Sequence, residues 1–290
     1  MARGIPNKKK EDEKPIVDKE QVKEVPIKAE DINNINTLDD KLNAFVSTAG
    51  KSKVAIIVPL FGYWNTVKKN QLNSEMLKLV MDRVYTELHE LYIVLVADPA
   101  RVPTSIVKAM ESKSFGGNVV GISVAPGASY SDYIDEGMFY ALNETKSQFI
   151  VIINPWIIIQ HGAIDRIVGR VNRGDVAFVS GYDVTGDIKQ DKFDEISANS
   201  PQEFRDLDLN FTAMIRPMAE MIQFGDIKTS SYFTKDLLQY MYRKGYEAIT
   251  SQVVPIYTFD INITNYEEEE EYVNDRILFI KKWGFDPDVE

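Results

Sequence analysis

The sequence contains no cysteine and only two histidines among its 290 residues. The lack of cysteine excludes disulfide bonds, thiolate metal ligands and a cysteine nucleophile. Because His89 and His161 are the only histidines, a metal site built from several imidazoles is not expected. No run of about 18 apolar residues occurs, so no membrane-spanning helix is predicted. The lysine-containing amino terminus lacks the apolar core of a signal peptide, which favours a cytoplasmic or particle-associated protein.

The charge balance limits the classes of partner. The formal net charge is −11, which argues against a general nucleic-acid-binding protein. The short basic tract Lys8–Lys10 is more typical of a solvated chain terminus than of a binding patch. Hydrophobic residues make up 44 % of the chain, enough for a substantial core.

Residues 1–50 differ in composition from the rest of the chain. They are rich in Lys, Glu, Asp, Asn and Pro and show little apolar periodicity. This composition predicts an extended or disordered arm. Near its end, four apolar residues have helical spacing and could dock a short helix on another surface. These residues are Leu38, Leu42, Phe45 and Val46.

The most apolar run of the chain, from Phe149 to His161, is interrupted once, by Asn154-Pro155-Trp156. Residues 149–154 have the length of a strand buried on both faces. Because proline has no backbone N–H, the strand should end there. Ligands of open α/β sheets bind at the carboxyl ends of strands, so Asn154 and Trp156 are candidate site residues. The alternative is a core strand followed by a turn without chemistry.

Strand-like and helix-like segments alternate along the chain. We predict strands at 53–61, 91–98, 118–124 and 149–154, separated by helices at 73–88, 103–112 and 130–144. This order predicts an α/β fold with a doubly wound, mostly parallel, Rossmann-like sheet. Further elements are predicted at 163–171 (helix), 175–180 (strand), 229–233 (strand), 234–244 (helix, closed by Gly245), 253–259 (strand) and 267–283 (helix), with a long loop at 185–205. The domains predicted are the arm (1–50), an α/β domain (51–265) and a C-terminal helix (266–290) packed on it.

Five segments, taken in order, resemble the GT-A-fold glycosyltransferases, in particular their family 2, over roughly residues 53–285. They are Val54–Leu60 with Pro59, Val94–Asp98, Gly127 followed by Asp135-Glu-Gly137, Ile150–Gly162, and Asn274–Gly284 with its closing Lys-Trp-Gly. The resemblance implies transfer of a hexose from a nucleotide diphosphate sugar to an acceptor hydroxyl. It also implies a set of residues that bind the nucleotide sugar: Pro59, Asp98, Asp135, Asn154 and Trp156. For Asp98, the alternative is an ordinary Asp-Pro turn at a strand end.

The chain departs from this family at the metal position. In the family, the last Asp of an Asp-x-Asp-like motif binds a divalent cation, Mn²⁺ or Mg²⁺, which wants oxygen ligands. Trp156 occupies that position here and leaves the expected cation site without this ligand. Arginines could neutralise the diphosphate instead, and Arg166, Arg170 and Arg173 lie nearby in sequence. The alternative is that these three form an ordinary solvated helix face.

The catalytic base also has alternatives. Inverting transfer needs a carboxylate that deprotonates the acceptor hydroxyl. In one alignment Asp236 matches the last Asp of the family's Glu-Asp-x-Asp motif, with Thr234 in place of the usual base. In another alignment Asp236 is structural. Asp206, paired with Asp208 on the presumed acceptor side, is the other candidate for the base.

Two further functions remain open. The first is a catalytically inactive glycosyltransferase-fold module that serves as a structural or binding subunit of a larger assembly, for example a virus particle, with the arm holding a protein partner. The second is a nucleotidyltransferase-like sheet, which would also want metal-binding carboxylates. The state of the cleft distinguishes an enzyme from an inactive module. An enzyme should keep a cleft open beside Asp98 and Asn154, whereas an inactive module would have it filled by Trp156.

Overall fold

A computed structural model describes residues 51–61, 74–111, 117–196, 203–204, 207–222, 232–259, 269–286 and 288. The predicted arm and the candidate base Asp206 lie outside these residues, and the domain boundaries stay predictions. Within the described ranges the strands form one nine-stranded sheet. No helix in these ranges is both long and apolar enough to cross a membrane.

The strands are β1 Lys53–Pro59, β2 Glu90–Ala97, β3 Asn118–Ser123, β4 Phe149–Ile153, β5 Ile157–Ile159, β6 Phe178–Asp183, β7 Glu203–Phe204, β8 Phe211–Ile215 and β9 Ala248–Thr258. The helices are α1 Ser74–Met81, α2 Thr104–Glu111, α3 Tyr130–Tyr140, α4 Ala163–Val171, α5 Arg216–Met221, α6 Phe233–Arg243 and α7 Glu269–Trp283. A π-helical turn, Ala141–Thr145, extends α3, and a 3₁₀-helix spans Gln190–Glu195.

The strand order is β3-β2-β1-β4-β8-β6-β9-β5, and β7 pairs with β9. Strands β8, β5 and β7 run antiparallel to their neighbours, whereas the remaining strands share one direction. The predicted α/β class and mostly parallel sheet are therefore confirmed. Parallel pairing is confined to two parts of the sheet, the β3-β2-β1-β4 half and the β6-β9 pair.

Strands β1 and β4 form the centre of the core. Every residue from Val54 to Pro59 and from Phe149 to Ile153 is buried, as expected for strands covered on both faces. Helix α3 packs closely on β1 because Gly137 has no side chain. A Cβ at this position would lie 2.5 Å from Cγ2 of Ile57, so only glycine allows this helix–strand distance.

Several predicted boundaries are wrong. The helix predicted at 73–88 ends at Met81, and the hydroxyl of Thr86 accepts hydrogen bonds from the backbone N–H groups of Leu88 and His89. Such local side-chain bonds compete with the helical ladder. Phe233, predicted to end a strand, instead opens α6, while residues 229–231 lie outside the described ranges. The predicted end of α6 is confirmed, because Gly245 adopts a left-handed conformation with φ of 78°.

Candidate functional site

The register of the parallel strands brings three predicted site residues to one edge of the sheet. Pro59, the last residue of β1, pairs with Val96 of β2, and Asp98 follows two residues later. Ile57 pairs with Ile152 of β4, so the end of β1 is level with Asn154. The strand order reverses here, because β2 and β4 flank β1 on opposite sides. Open α/β sheets bind ligands at such a switch point.

Asp98 connects two loops at this edge. Its side chain is 1 % exposed. Oδ1 accepts from the backbone N–H of Ala100 at 2.7 Å, and Oδ2 accepts from that of Gly127 at 3.1 Å. The guanidinium of Arg101 lies 3.7 Å from the same carboxylate. Both carboxylate oxygens therefore have protein partners. Together these contacts hold the end of β2 against the turn that follows β3.

Asn154 and Trp156 are joined by a residue that sequence reasoning missed. Oδ1 of Asn210 accepts from Nδ2 of Asn154 at 3.0 Å and from Nε1 of Trp156 at 2.9 Å. The backbone N–H of Asn154 also donates to the carbonyl of Asn210 at 2.8 Å. On the other side, Oδ1 of Asn154 accepts from the hydroxyl of Tyr130 at 2.8 Å. We call Tyr130, Asn154, Trp156 and Asn210 the Asn210 network.

Three of the elements that meet at this edge supply the network. Tyr130 opens α3, Asn154 and Trp156 connect β4 to β5, and Asn210 directly precedes β8. Asn154 is 4 % exposed and Trp156 is 7 % exposed. The placement of Asn210 follows only from the pairing of β4 with β8, because a residue directly before an antiparallel strand lies at the edge where its neighbour ends.

Asp208 lies at the outer end of this network. Its carboxylate accepts from the backbone N–H of Asn210 at 2.8 Å and from Nδ2 of the same residue at 3.3 Å. Its own backbone N–H donates to the hydroxyl of Ser180 at 3.0 Å. The residue is half-buried. Asp208 therefore fixes the orientation of the Asn210 amide, which in turn faces Asn154 and Trp156.

The phenol of Tyr130 is kept neutral by its surroundings. Burial raises the pKa of Tyr130 above its ordinary range, the hydrogen bond to Asn154 acts in the opposite direction, and the charge of Asp208 raises the pKa further. The ring lies edge-on to those of Phe61 and Phe233, with centroid distances of 5.5 and 5.4 Å. The hydroxyl therefore remains a donor to Asn154 across the physiological pH range.

Asp236, one of the two candidate bases, connects α6 to α7. Its carboxylate is 1 % exposed. It accepts from Nε1 of Trp283 at 2.8 Å and pairs with Nζ of Lys282 at 2.9 Å. The Lys-Trp pair of the C-terminal segment thus binds this carboxylate. These contacts favour the alternative in which Asp236 is structural.

The remaining candidates lie elsewhere. Asp135 lines a groove between α3 and α5, outside the Asn210 network. Arg166 donates to the backbone carbonyl of Val253 at 2.9 Å. Arg170 is buried and bonds to the carboxylates of Glu203 and Asp175. These two arginines are held within the protein fold.

The side chains at the edge do not fit the divalent cation that the resemblance implies. Trp156 offers no oxygen, and the side-chain oxygen of Asn154 accepts from Tyr130. In the described part of the chain, no group of three or more His, Cys, Asp or Glu residues is placed to hold a metal ion. No metal-dependent step is therefore derived for this edge.

No protein-family model and no curated protein matches the sequence. Among solved structures, S. aureus TarS 1–349 in complex with UDP has a TM-score of 0.52 at 14 % identity, covering 82 % of this chain and 67 % of that one. S. aureus TarS 1–349 in a second structure gives 0.47 at 12 % identity, with coverages of 82 % and 75 %. A197 from STIV gives 0.38 at 12 % identity, with coverages of 72 % and 85 %. The likeness to UDP-bound TarS shows that this chain has a glycosyltransferase-like α/β fold.

Proposed function

We propose that this chain is a catalytically inactive glycosyltransferase-fold module that serves as a structural or binding subunit of a larger assembly. The observation that supports this most strongly is the Asn210 network. Its mutually bonded side chains, of which Tyr130, Asn154 and Trp156 are buried, occupy the strand-end position where the resemblance expects a cation ligand and the donor diphosphate. Trp156, in the place of an acidic ligand, is 7 % exposed and bonded to Asn210.

The cost of opening this edge supports the same proposal. A diphosphate that displaced Asn210 would leave Nδ2 of Asn154 and Nε1 of Trp156 without their shared acceptor. A buried donor without a partner costs about 1–3 kcal/mol. The incoming group would have to replace both bonds and the indole packing together. The closed arrangement is therefore the stable state of an inactive module.

The test is a binding screen against UDP, GDP, dTDP and CDP sugars, with and without Mn²⁺, using TarS as the positive control for UDP. We expect no donor-dependent rise in melting temperature. A ligand held at about 100 times its dissociation constant would add about 2.7 kcal/mol of stability, so binding would be evident. A saturable rise with any donor, followed by release of the nucleoside diphosphate, would overturn the proposal.

The indole N–H resonance of Trp156 gives a site-specific readout of the same experiment. Trp156→Phe assigns the resonance, and Trp283→Phe serves as the matched control, because its indole also donates to a buried acceptor. We expect the Trp156 signal to stay unchanged when donors are added. A shift confined to Trp156 would locate a bound donor at the Asn210 network and contradict the argument that this network keeps the donor out.

The second candidate function is transfer of a hexose from a nucleotide diphosphate sugar to an acceptor hydroxyl. The likeness to UDP-bound TarS favours it. In this case Asp98 and Pro59 would contact the nucleoside. Asn154 and Trp156 would frame the diphosphate and sugar. Asp135, on α3, would also contribute to binding of the nucleotide sugar.

For this second candidate, the contacts of Asp236 with Trp283 and Lys282 favour Asp206 as the base. Donor turnover measured in Asp206→Asn and Asp236→Asn would decide between them. We expect the base variant to lose turnover at unchanged donor affinity. A chain that turns over no donor before substitution excludes this candidate.

A further inference from the structure

A groove of about 450 Å³ lies between α3 and α5. Its apolar lining includes Met138, Phe139, Leu142 and Ile222. Three carboxylates also line it, those of Asp135, Glu136 and Glu220, of which Glu220 pairs with Arg216. Phe139 is 64 % exposed. An exposed aromatic ring beside an apolar groove is typical of a surface that another segment covers.

The groove is close to the point where the arm joins the described fold. The carbonyl of Lys53 accepts from the backbone N–H of Gln148 at 2.9 Å, and the carbonyl of Gln148 accepts from that of Arg216 at 2.8 Å. The guanidinium of Arg216 then donates to the carbonyl of Leu142, a groove residue, at 2.9 Å. A short series of hydrogen bonds therefore connects the start of β1 to the groove.

We propose that residues 38–46 of the same chain dock in this groove as an amphipathic segment. Leu38, Leu42, Phe45 and Val46 recur at i, i+4, i+7 and i+8, the spacing of one helix face. The stretch from Val46 to Lys51 can span at most about 17 Å. A tether this short gives an effective concentration on the order of millimolar, so weak apolar contacts are enough to hold the segment.

One basic residue of the segment favours a particular orientation. At about 100° per residue, Lys41 and Asp39 flank the apolar face on opposite sides, whereas Asp40 points away from it. Lys41 can therefore approach the carboxylates of Asp135 and Glu136, and Asp40 can remain in water. The inference concerns a surface outside the Asn210 network and holds whether or not the chain transfers a sugar.

The lack of cysteine makes engineered cross-linking a clean test on the full chain. The test pair is Lys41→Cys with Glu136→Cys, which leaves the apolar residues of both surfaces intact. The matched control is Lys41→Cys with Asp187→Cys, since Asp187 is exposed after the carboxyl end of β6. We expect an intramolecular disulfide to form at least about tenfold faster in the test pair, as a millimolar effective concentration allows.

Equal rates in the two pairs would overturn the proposal. A bridge found only between chains would also overturn it, because the occupant would then be the arm of a second copy. Mass spectrometry of the non-reduced monomer distinguishes these outcomes.

Trypsin cleavage after Lys41 gives an independent readout that needs no cysteine. Phe139→Asp removes the exposed ring from the groove, and Ile277→Asp changes a comparably exposed apolar residue on α7. When local opening is fast, cleavage tracks the open population. We expect cleavage to accelerate about tenfold in Phe139→Asp, which is equivalent to about 1.4 kcal/mol of docking free energy. In Ile277→Asp the cleavage rate should equal that of the wild type. Equal cleavage rates in the wild type and in Phe139→Asp would contradict docking in this groove.

Discussion

The indole nitrogen of Trp156 donates to the side-chain oxygen of Asn210 at 2.9 Å, although the two residues are 54 positions apart in the chain. Nδ2 of Asn154 shares the same acceptor. A tryptophan at the end of a central strand is thus fixed by a specific polar contact as well as by packing. This bond ties the end of β4 to the start of β8, and it makes Asn210 the residue on which the geometry of this edge depends.

Replacement of Asn210 by alanine should destabilise the fold strongly. Asn210→Ala leaves two buried donors without an acceptor, and each costs about 1–3 kcal/mol. We expect the free energy of unfolding to fall by about 2–4 kcal/mol, measured from urea denaturation midpoints. Asn172→Ala, at the exposed C-terminal cap of α4, is the matched control and should change it by less than about 1 kcal/mol. Equal effects in the two variants would mean that the Asn210 network does not stabilise the fold.

The sequence predicts the parallel half of the sheet well, for a physical reason. Strands β1, β2 and β4 are buried on both faces and therefore appear as continuous apolar runs with proline or aspartate at their ends. The same pattern predicted that Asp98 and Asn154 each follow the carboxyl end of a strand, and in the sheet these strands, β2 and β4, lie on either side of β1. Strand β8 has only five residues. An apolar run this short fits a buried strand and a buried helix equally well, so periodicity alone could not identify it as a strand.

The partners at the edge could not be predicted from local sequence. The position of Asn210 beside Asn154 depends on the antiparallel pairing of β4 with β8, in which Ile153 faces Phe211. Likewise, Asp236 meets Trp283 only because α6 and α7 pack together in the folded chain. Such contacts arise from tertiary structure, which spacing within a segment does not encode. The sequence therefore places Asp98 and Asn154 at strand ends, but it does not predict the hydrogen bonds that join this edge to β8.

Asp236 should act as a structural carboxylate. Asp236→Ala leaves the indole N–H of Trp283 and the ammonium of Lys282 without their partner, and breaking a buried ion pair costs about 3–5 kcal/mol. Because the Lys282 side chain is 34 % exposed, we expect a loss near the lower end, about 3 kcal/mol. Asp236→Asn keeps an acceptor for Trp283 and should lose less. Thermal and urea unfolding measure both, with the exposed Asp191→Ala as control. A stable Asp236→Ala protein would instead favour the catalytic interpretation.

Arg170 should not be replaceable by lysine. Its guanidinium binds Glu203 through Nε and Nη2, at 2.6 and 2.9 Å, and Asp175 through Nη1, at 2.7 Å. Lysine cannot reproduce this planar, bidentate arrangement. We expect Arg170→Lys to lower the free energy of unfolding by about 1–2 kcal/mol, since both carboxylates are partly exposed. The exposed Arg173→Lys is the control. If the two lysine variants were equally stable, the clamp formed by Arg170 would contribute nothing to stability.

His89 should make the protein less stable in mild acid. Burial lowers the pKa of His89 below its ordinary value of 6.5, while the nearby charge of Asp165 opposes the shift. The unfolded chain therefore binds a proton more readily than the folded one, so stability is present above pH 6.5 and is lost as the pH falls through the folded pKa. With only two histidines, NMR titration can follow each ring, and His161→Gln assigns the signals. A His89 ring that titrates above 6.5 would contradict this prediction. His89→Gln should show a weaker dependence of stability on pH.

Tyr133 should control stability at alkaline pH. Its hydroxyl is buried and, among the described residues, makes no hydrogen bond of normal geometry, although the nearby backbone of Asp98 acts to lower its pKa. Burial, assisted by the charge of Asp98, raises the pKa of Tyr133 to about 12. The unfolded chain thus loses this proton first, near pH 10, and stability should fall by up to about 3 kcal/mol between pH 10 and 12. Tyr133→Phe should weaken that fall and, by removing an unsatisfied hydroxyl, stabilise the protein by about 1 kcal/mol at pH 7. The exposed Tyr242→Phe should do neither. Urea unfolding at pH 7 and between pH 10 and 12 measures both effects. A Tyr133→Phe protein that is less stable than the wild type at pH 7 would contradict the prediction, because it would mean that the hydroxyl makes a stabilising hydrogen bond.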